Sequence, residues 1–113
     1  MSITRMLATL LALAALALPA RAEVSELKIA EQYGIGYLPL TIMKANKLVE
    51  KHLKQAGLAE TKVVWSVLAS GQPMNDALLS GGLHIASGGL APFLIIWDRT
   101  RGNLNVKSVA ALA

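Results

Sequence analysis

Cysteine is absent from all 113 residues, which excludes a disulfide framework and a cysteine-linked acyl anchor. Only two histidines occur, His52 and His84, with no H-E-x-x-H pattern, so a zinc site has no ligand set. There is no G-x-S-x-G elbow and no Walker-type G-K-[ST], the patterns that place a nucleophilic serine or cradle a nucleotide phosphate. "YGIGYLP" holds a G-x-G but no third glycine and no acidic residue at the required distance, so a dinucleotide fingerprint fails. Nothing among these residues requires an enzyme, a metal or a cofactor, and no catalytic residue is assigned.

Charge of one sign is also scarce once the N-terminus is considered. Residues 1–22 read as a secretory leader: Arg5 supplies a positive start, and the 13 residues from Met6 to Leu18 are apolar but for Thr9. "ARA" then gives a small-x-small cleavage pattern, so the mature chain is expected to begin at Glu23. An apolar run of that length falls short of the roughly 20 residues that span a bilayer as a helix. Of 11 basic residues, Arg5 and Arg21 leave with the leader, so 9 face 7 acidic ones, a net +2. Nucleic-acid binders show clustered basic faces, whereas "KANKLVEKHLKQ" mixes both signs. No nucleic-acid partner is expected. Export without an acyl anchor implies a periplasmic protein.

What is present is an alternation of periods. Residues 26–32 alternate apolar and polar and read as a first strand. Ile42, Ala45, Val49, Leu53 and Ala56 then fall on one helical stripe, with Glu50 and Lys54 four apart in the supportive order and Gly57 at the end. "KVVWSVL" (62–68) is a buried strand by its β-branched and aromatic content. A loop, a short helix and Gly-Gly follow, then "LHIAS" as a third strand and "APFLIIWDRTRG" as a third helix. "VKSVAALA" (106–113) reads as a fourth strand. Helices between strands imply βαβ units with right-handed crossovers. The expected fold class is α/β, a βαβαβαβ mostly parallel sheet. The apolar run at its end marks the chain as the N-terminal part of a longer protein.

In open α/β sheets ligands bind beyond the carboxyl ends of the strands. Three loops fall there: residues 32–39, 69–73 and 87–92. Each combines glycine, a hydrogen-bonding side chain and proline. Glycine permits close backbone approach, and helix N-termini offer open N–H groups that favour an anion. Turn-making alone accounts for such residues in any single loop; three of one kind on one edge point to a polar, anion-friendly lip. Asp76 and Asp98 read as surface charges, His52 as solvated, and Trp65 and Trp97 as core. Alternation puts Leu83 and Ile85 on one strand face with His84 and Ala86 on the other. His84 is therefore read as a satisfied, buried structural histidine beside the site.

The runs "KIAEQYGIGYLPLTIMKANKLVEKHLKQAG", "SVLASGQPMNDALLSGGLHIASGGLAPFLIIWDRTRG" and "VAALA" resemble the solute-binding proteins of nitrate/sulfonate/taurine-class ABC importers. The likeness covers essentially all of residues 27–113. It implies a type 2 periplasmic binding protein whose two α/β lobes close on a solute, residues 23–113 forming the first part of lobe one. Members are about three times as long, as two lobes of roughly 100–150 residues each require. By position, the resemblance implies ligand contacts from Gln32, Tyr33 and Gly34, from Ser70, Gly71 and Gln72, and from Ser87, Gly88 and Gly89. It also implies a small anionic or polar solute, a membrane permease as partner, and a monomer at full length. The alternative is an exported or fold-related enzyme of the pyrimidine-precursor type, which some relatives of this fold are. Two departures stand out: His84 where relatives carry Asp, and Lys47 where they carry Gly at a helix break, with Asn46 expected to take the left-handed conformation there.

Overall fold

The structure, a computed structural model, describes residues 24–112; the expected leader lies outside them. Three parallel strands, β1 (Glu26–Glu31), β2 (Lys62–Val67) and β3 (Ile85–Ala86), form one sheet in the order β2-β1-β3. A short 3-10 turn (Ile35–Tyr37) leads into α1 (Leu38–Ala45) and α2 (Leu48–Gln55), followed by α3 (Gly71–Leu79) and α4 (Leu90–Thr100). The fold is mixed α/β, with a three-stranded parallel sheet and four α-helices among the described residues. None of those helices is long and apolar enough to cross a membrane.

Because β1 is central, both of its faces are covered, and its residues alternate between them. Ala30 is fully buried in a cluster with Met74 and Leu83, onto which Leu68, Ala77, Leu78 and Ala86 pack. That face belongs to α3. Glu31 points the other way, where its Oε1 stands 3.6 Å from Lys44 Nζ of α1. The chain steps from β1 to β2 in one direction and from β2 past β1 to β3 in the other. Right-handed crossovers then put the connecting helices on opposite faces, in agreement with these contacts.

Several sequence expectations need correction. The single helix through residues 42–56 is two. Lys47, not Asn46, takes the left-handed conformation, at φ 50° and ψ 42°. Asn46 keeps φ −93°, and its Nδ2 donates to the Ile42 carbonyl at 3.0 Å, closing α1 with a side chain. Gly57 does end α2: its N–H donates to Lys54 O, and Leu58 N–H to Leu53 O at 2.8 Å, the paired bonds of a Schellman ending. The supportive Glu50–Lys54 pair does not form; Glu50 is half-buried, its Oε2 shielded without a partner.

The fourth strand is absent among the described residues, since residues 106–112 lie in no helix or strand. The chain leaves α4 through a turn centred on Thr100, whose backbone oxygen accepts from Asn103 and Asn105 and whose Oγ1 accepts from Val106 N–H at 3.1 Å. A strand needs a ladder beside it, and this exit brings the segment to none. The third strand is also shorter than 83–87. Leu83 and Ala86 therefore pack on one cluster, against simple alternation, because the strand begins only at Ile85.

Trp97 is not core. It is 42% exposed, with the Arg101 guanidinium 4.7 Å above its ring. The buried side of α4 is set by Ile96 and Thr100, and Trp97 falls one step outside that line. Trp65 is half-buried, with Nε1 shielded and unpartnered. Asp76, Asp98 and His52 are exposed as expected.

Candidate functional site

The strand order creates one place where neighbouring strands send their connections to opposite sides, between the carboxyl ends of β1 and β3. Such a reversal leaves a crevice, which is where ligands settle on open α/β sheets. Gln32 follows β1, and Ser87, Gly88 and Gly89 follow β3, so both loops arrive at this point.

Backbone pairing fixes the β3 side. Ser87 donates to the Ala30 carbonyl twice, from its N–H and from Oγ, each at 3.0 Å. Gln32 Nε2 reaches across to the Ser87 carbonyl at 3.5 Å and to Met74 Sδ at 3.7 Å. A Cβ at Gly88 would stand 3.5 Å from that same Nε2. Gln32, Ser87 and Gly88 are thus brought together, with Met74 beneath them.

The second loop joins through Gly71. A Cβ there would stand 2.6 Å from Pro92 Cβ and 2.7 Å from Pro92 Cγ, so only glycine lets the start of α3 come this close to the start of α4. Asn75, buried on α3, donates from Nδ2 to the Pro92 carbonyl at 2.9 Å and holds the two helix starts together. Gly89 is the N-cap of α4 and Ser70 that of α3, neither with a side-chain cap bond. No acidic residue lies in either first turn. Uncapped N–H groups with no carboxylate beside them leave the dipole ends available to an anion.

The remaining predicted residues stand apart from this junction. Tyr33 is 77% exposed. Gly34 turns the chain into the 3-10 segment at φ 123°. Gln72 spends its amide on Asp76 Oδ1 at 3.0 Å, within its own helix. Met74 and Asn75 were not singled out from the sequence, although both stand three and four residues after Gly71, on the side of α3 that a helix turns towards one neighbour.

His84 lies at the opposite end of the strands. It is exposed rather than buried, but it is satisfied: Lys28 N–H donates to its Nδ1 at 3.1 Å. A hollow of about 240 Å³ beside it is lined by Val24, Ser25, Glu26, Lys28 and His84. A second hollow, of about 350 Å³, lies between Met43 on α1 and Val49, His52, Leu53 and Ala56 at α2. Neither adjoins the loop junction. Among the described residues no group of three or more His, Cys, Asp or Glu is gathered as a metal would need.

No family model, no curated protein and no solved structure matches the chain.

Proposed function

We propose that the protein is the periplasmic solute-binding component of an ABC importer. It captures a small anionic or polar solute, of the nitrate, sulfonate or taurine kind, and delivers it to a membrane permease. The observation that carries this reading is the junction at the strand reversal. Gln32 bonds across to the β3 loop at Ser87, and Gly71 admits Pro92 at a distance no other residue allows. Two uncapped helix starts are thereby set side by side, without a neighbouring carboxylate. Such an arrangement binds by preset backbone donors and performs no chemistry. The leader-like residues 1–22 and the family resemblance support the compartment and the transport role.

The test is a thermal-shift panel of nitrate, alkyl and amino sulfonates, bicarbonate and small heterocycles. A ligand present at a hundredfold excess over its Kd stabilises by roughly 2.7 kcal/mol, a readily measured rise in midpoint. A panel with no stabilising member rejects the reading.

A further inference from the structure

The polar side chains at the loop junction have their donors turned inward. Gln32 Nε2 faces the Ser87 carbonyl at 3.5 Å and Met74 Sδ at 3.7 Å. Both neighbours only accept, so the nitrogen end of the amide must face them. Its two N–H groups are then committed within the protein, and Oε1 accepts no bond among the described residues. Ser87 repeats the pattern. Its one hydroxyl proton goes to the Ala30 carbonyl at 3.0 Å, which leaves Oγ only lone pairs to offer.

Donors at the junction come from the backbone instead, at the uncapped starts of α3 and α4. The residues gathered there, Gln32, Gly71, Met74, Ser87, Gly88 and Pro92, include no cationic side chain. A solute made of acceptors alone, such as nitrate, suits the helix starts. It displaces water from Gln32 Oε1 and Ser87 Oγ without replacing the lost bonds, which weakens binding. A solute that also carries an N–H or O–H group satisfies both sides.

We propose that the Gln32 amide, held by Ser87 and Met74, selects solutes that bear an N–H or O–H donor beside their acceptor oxygens. Gln32 is the specificity-determining contact, and Met74, buried beneath it, is a positioning residue. This selection presupposes the solute-binding reading and narrows its solute class from small anionic or polar molecules to donor-bearing ones.

Isothermal titration with matched probes tests it: bicarbonate against nitrate, 2-aminoethanesulfonate against ethanesulfonate, and any heterocycle that binds against its N-methylated analogue. Within a pair the donor-bearing member is expected to bind about tenfold more tightly or better, the factor that one unpaired acceptor costs. Gln32→Met keeps the side-chain length and removes the acceptor, so the ratios are expected to fall toward one. Met74→Leu withdraws one of the two partners that hold the amide and is expected to lower the same ratios, whereas a merely structural role would weaken both members of a pair alike. Should Gln32→Met fail to fold by circular dichroism, the ratios of the unaltered protein decide. Equal affinity within each pair overturns the proposal and leaves the solute-binding reading standing, as do ratios that survive Gln32→Met. No binding by any probe overturns that reading and this proposal with it.

Discussion

Lys28 and His84 are bonded to each other in both directions. The Lys28 N–H donates to His84 Nδ1 at 3.1 Å, and the His84 N–H donates to the Lys28 carbonyl at 3.0 Å. The imidazole nitrogen thus stands where a strand carbonyl would stand if β3 began one residue earlier. Nδ1 is the acceptor, so the ring proton of neutral His84 resides on Nε2.

His84→Ala removes that acceptor and leaves the Lys28 amide to water. A single such bond contributes about 1 kcal/mol, which lowers the melting midpoint by roughly 4–8 °C in a domain of this size. His84→Asn offers an amide oxygen in a similar place and is expected to recover part of the loss. Neither change is expected to alter solute affinity, since the residue lies at the far end of the strands. A turnover activity lost in His84→Ala would instead favour the enzyme alternative.

Gly71→Ala places a methyl 2.6 Å from Pro92 Cβ. Overpacking of that kind costs about 1–3 kcal/mol. Pro92→Gly on the same chain removes the obstructing ring, so the double variant is expected to melt closer to the Pro92→Gly single variant than additivity allows. A denaturant titration of the four proteins measures the coupling.

Lys47 holds φ 50° between α1 and α2, a conformation that costs an L-residue about 1–2 kcal/mol. Glycine adopts it freely but loses more entropy on folding, by roughly 0.5–1 kcal/mol. Lys47→Gly is therefore expected to stabilise the chain slightly, and Lys47→Val to destabilise it. Urea midpoints of the two variants should move in opposite directions.

Glu31 is buried on the central strand, its Oε2 is shielded without a partner, and Lys44 is its one ion pair among the described residues. Lys44→Ala leaves the buried carboxylate wholly unpaired, and such a loss costs about 1–3 kcal/mol; the half-exposure of Lys44 places the effect at the lower end. Lys44→Ala combined with Glu31→Gln should recover stability relative to Lys44→Ala alone. Thermal melts of the single and double variants check this.

Much of the fold was legible because burial leaves a periodic trace. The first two strands were readable to within a residue, since β1 and β2 pair along their whole length. Gly57 announced the end of α2 because only glycine takes its φ without cost. A helix break near Lys47 was expected from the resemblance, but which residue takes the left-handed backbone was obscured, because lysine carries no mark of it and Asn46, which does, was used to cap α1. The fourth strand depended on a neighbour that no local pattern encodes. In the candidate site the glycines at 71 and 88 were visible as loop residues, but Pro92 and Asn75 became meaningful only once α3 and α4 were seen to start side by side. His84 was read correctly as satisfied and wrongly as buried, because its partner is a backbone amide at an open strand end.

The proposed function requires that the junction of the β1, β2 and β3 loops captures a small solute. Isothermal titration of the panel into the protein and into Gly88→Val tests it most directly, because a Cβ at Gly88 comes into contact with Gln32 Nε2 at 3.5 Å and the valine methyls extend beyond it. Saturable binding of at least one small oxyanion or polar heterocycle is expected, lost in Gly88→Val while the fold, followed by circular dichroism, persists. Binding that is unchanged in the variant, or no binding by any member of the panel, would contradict it.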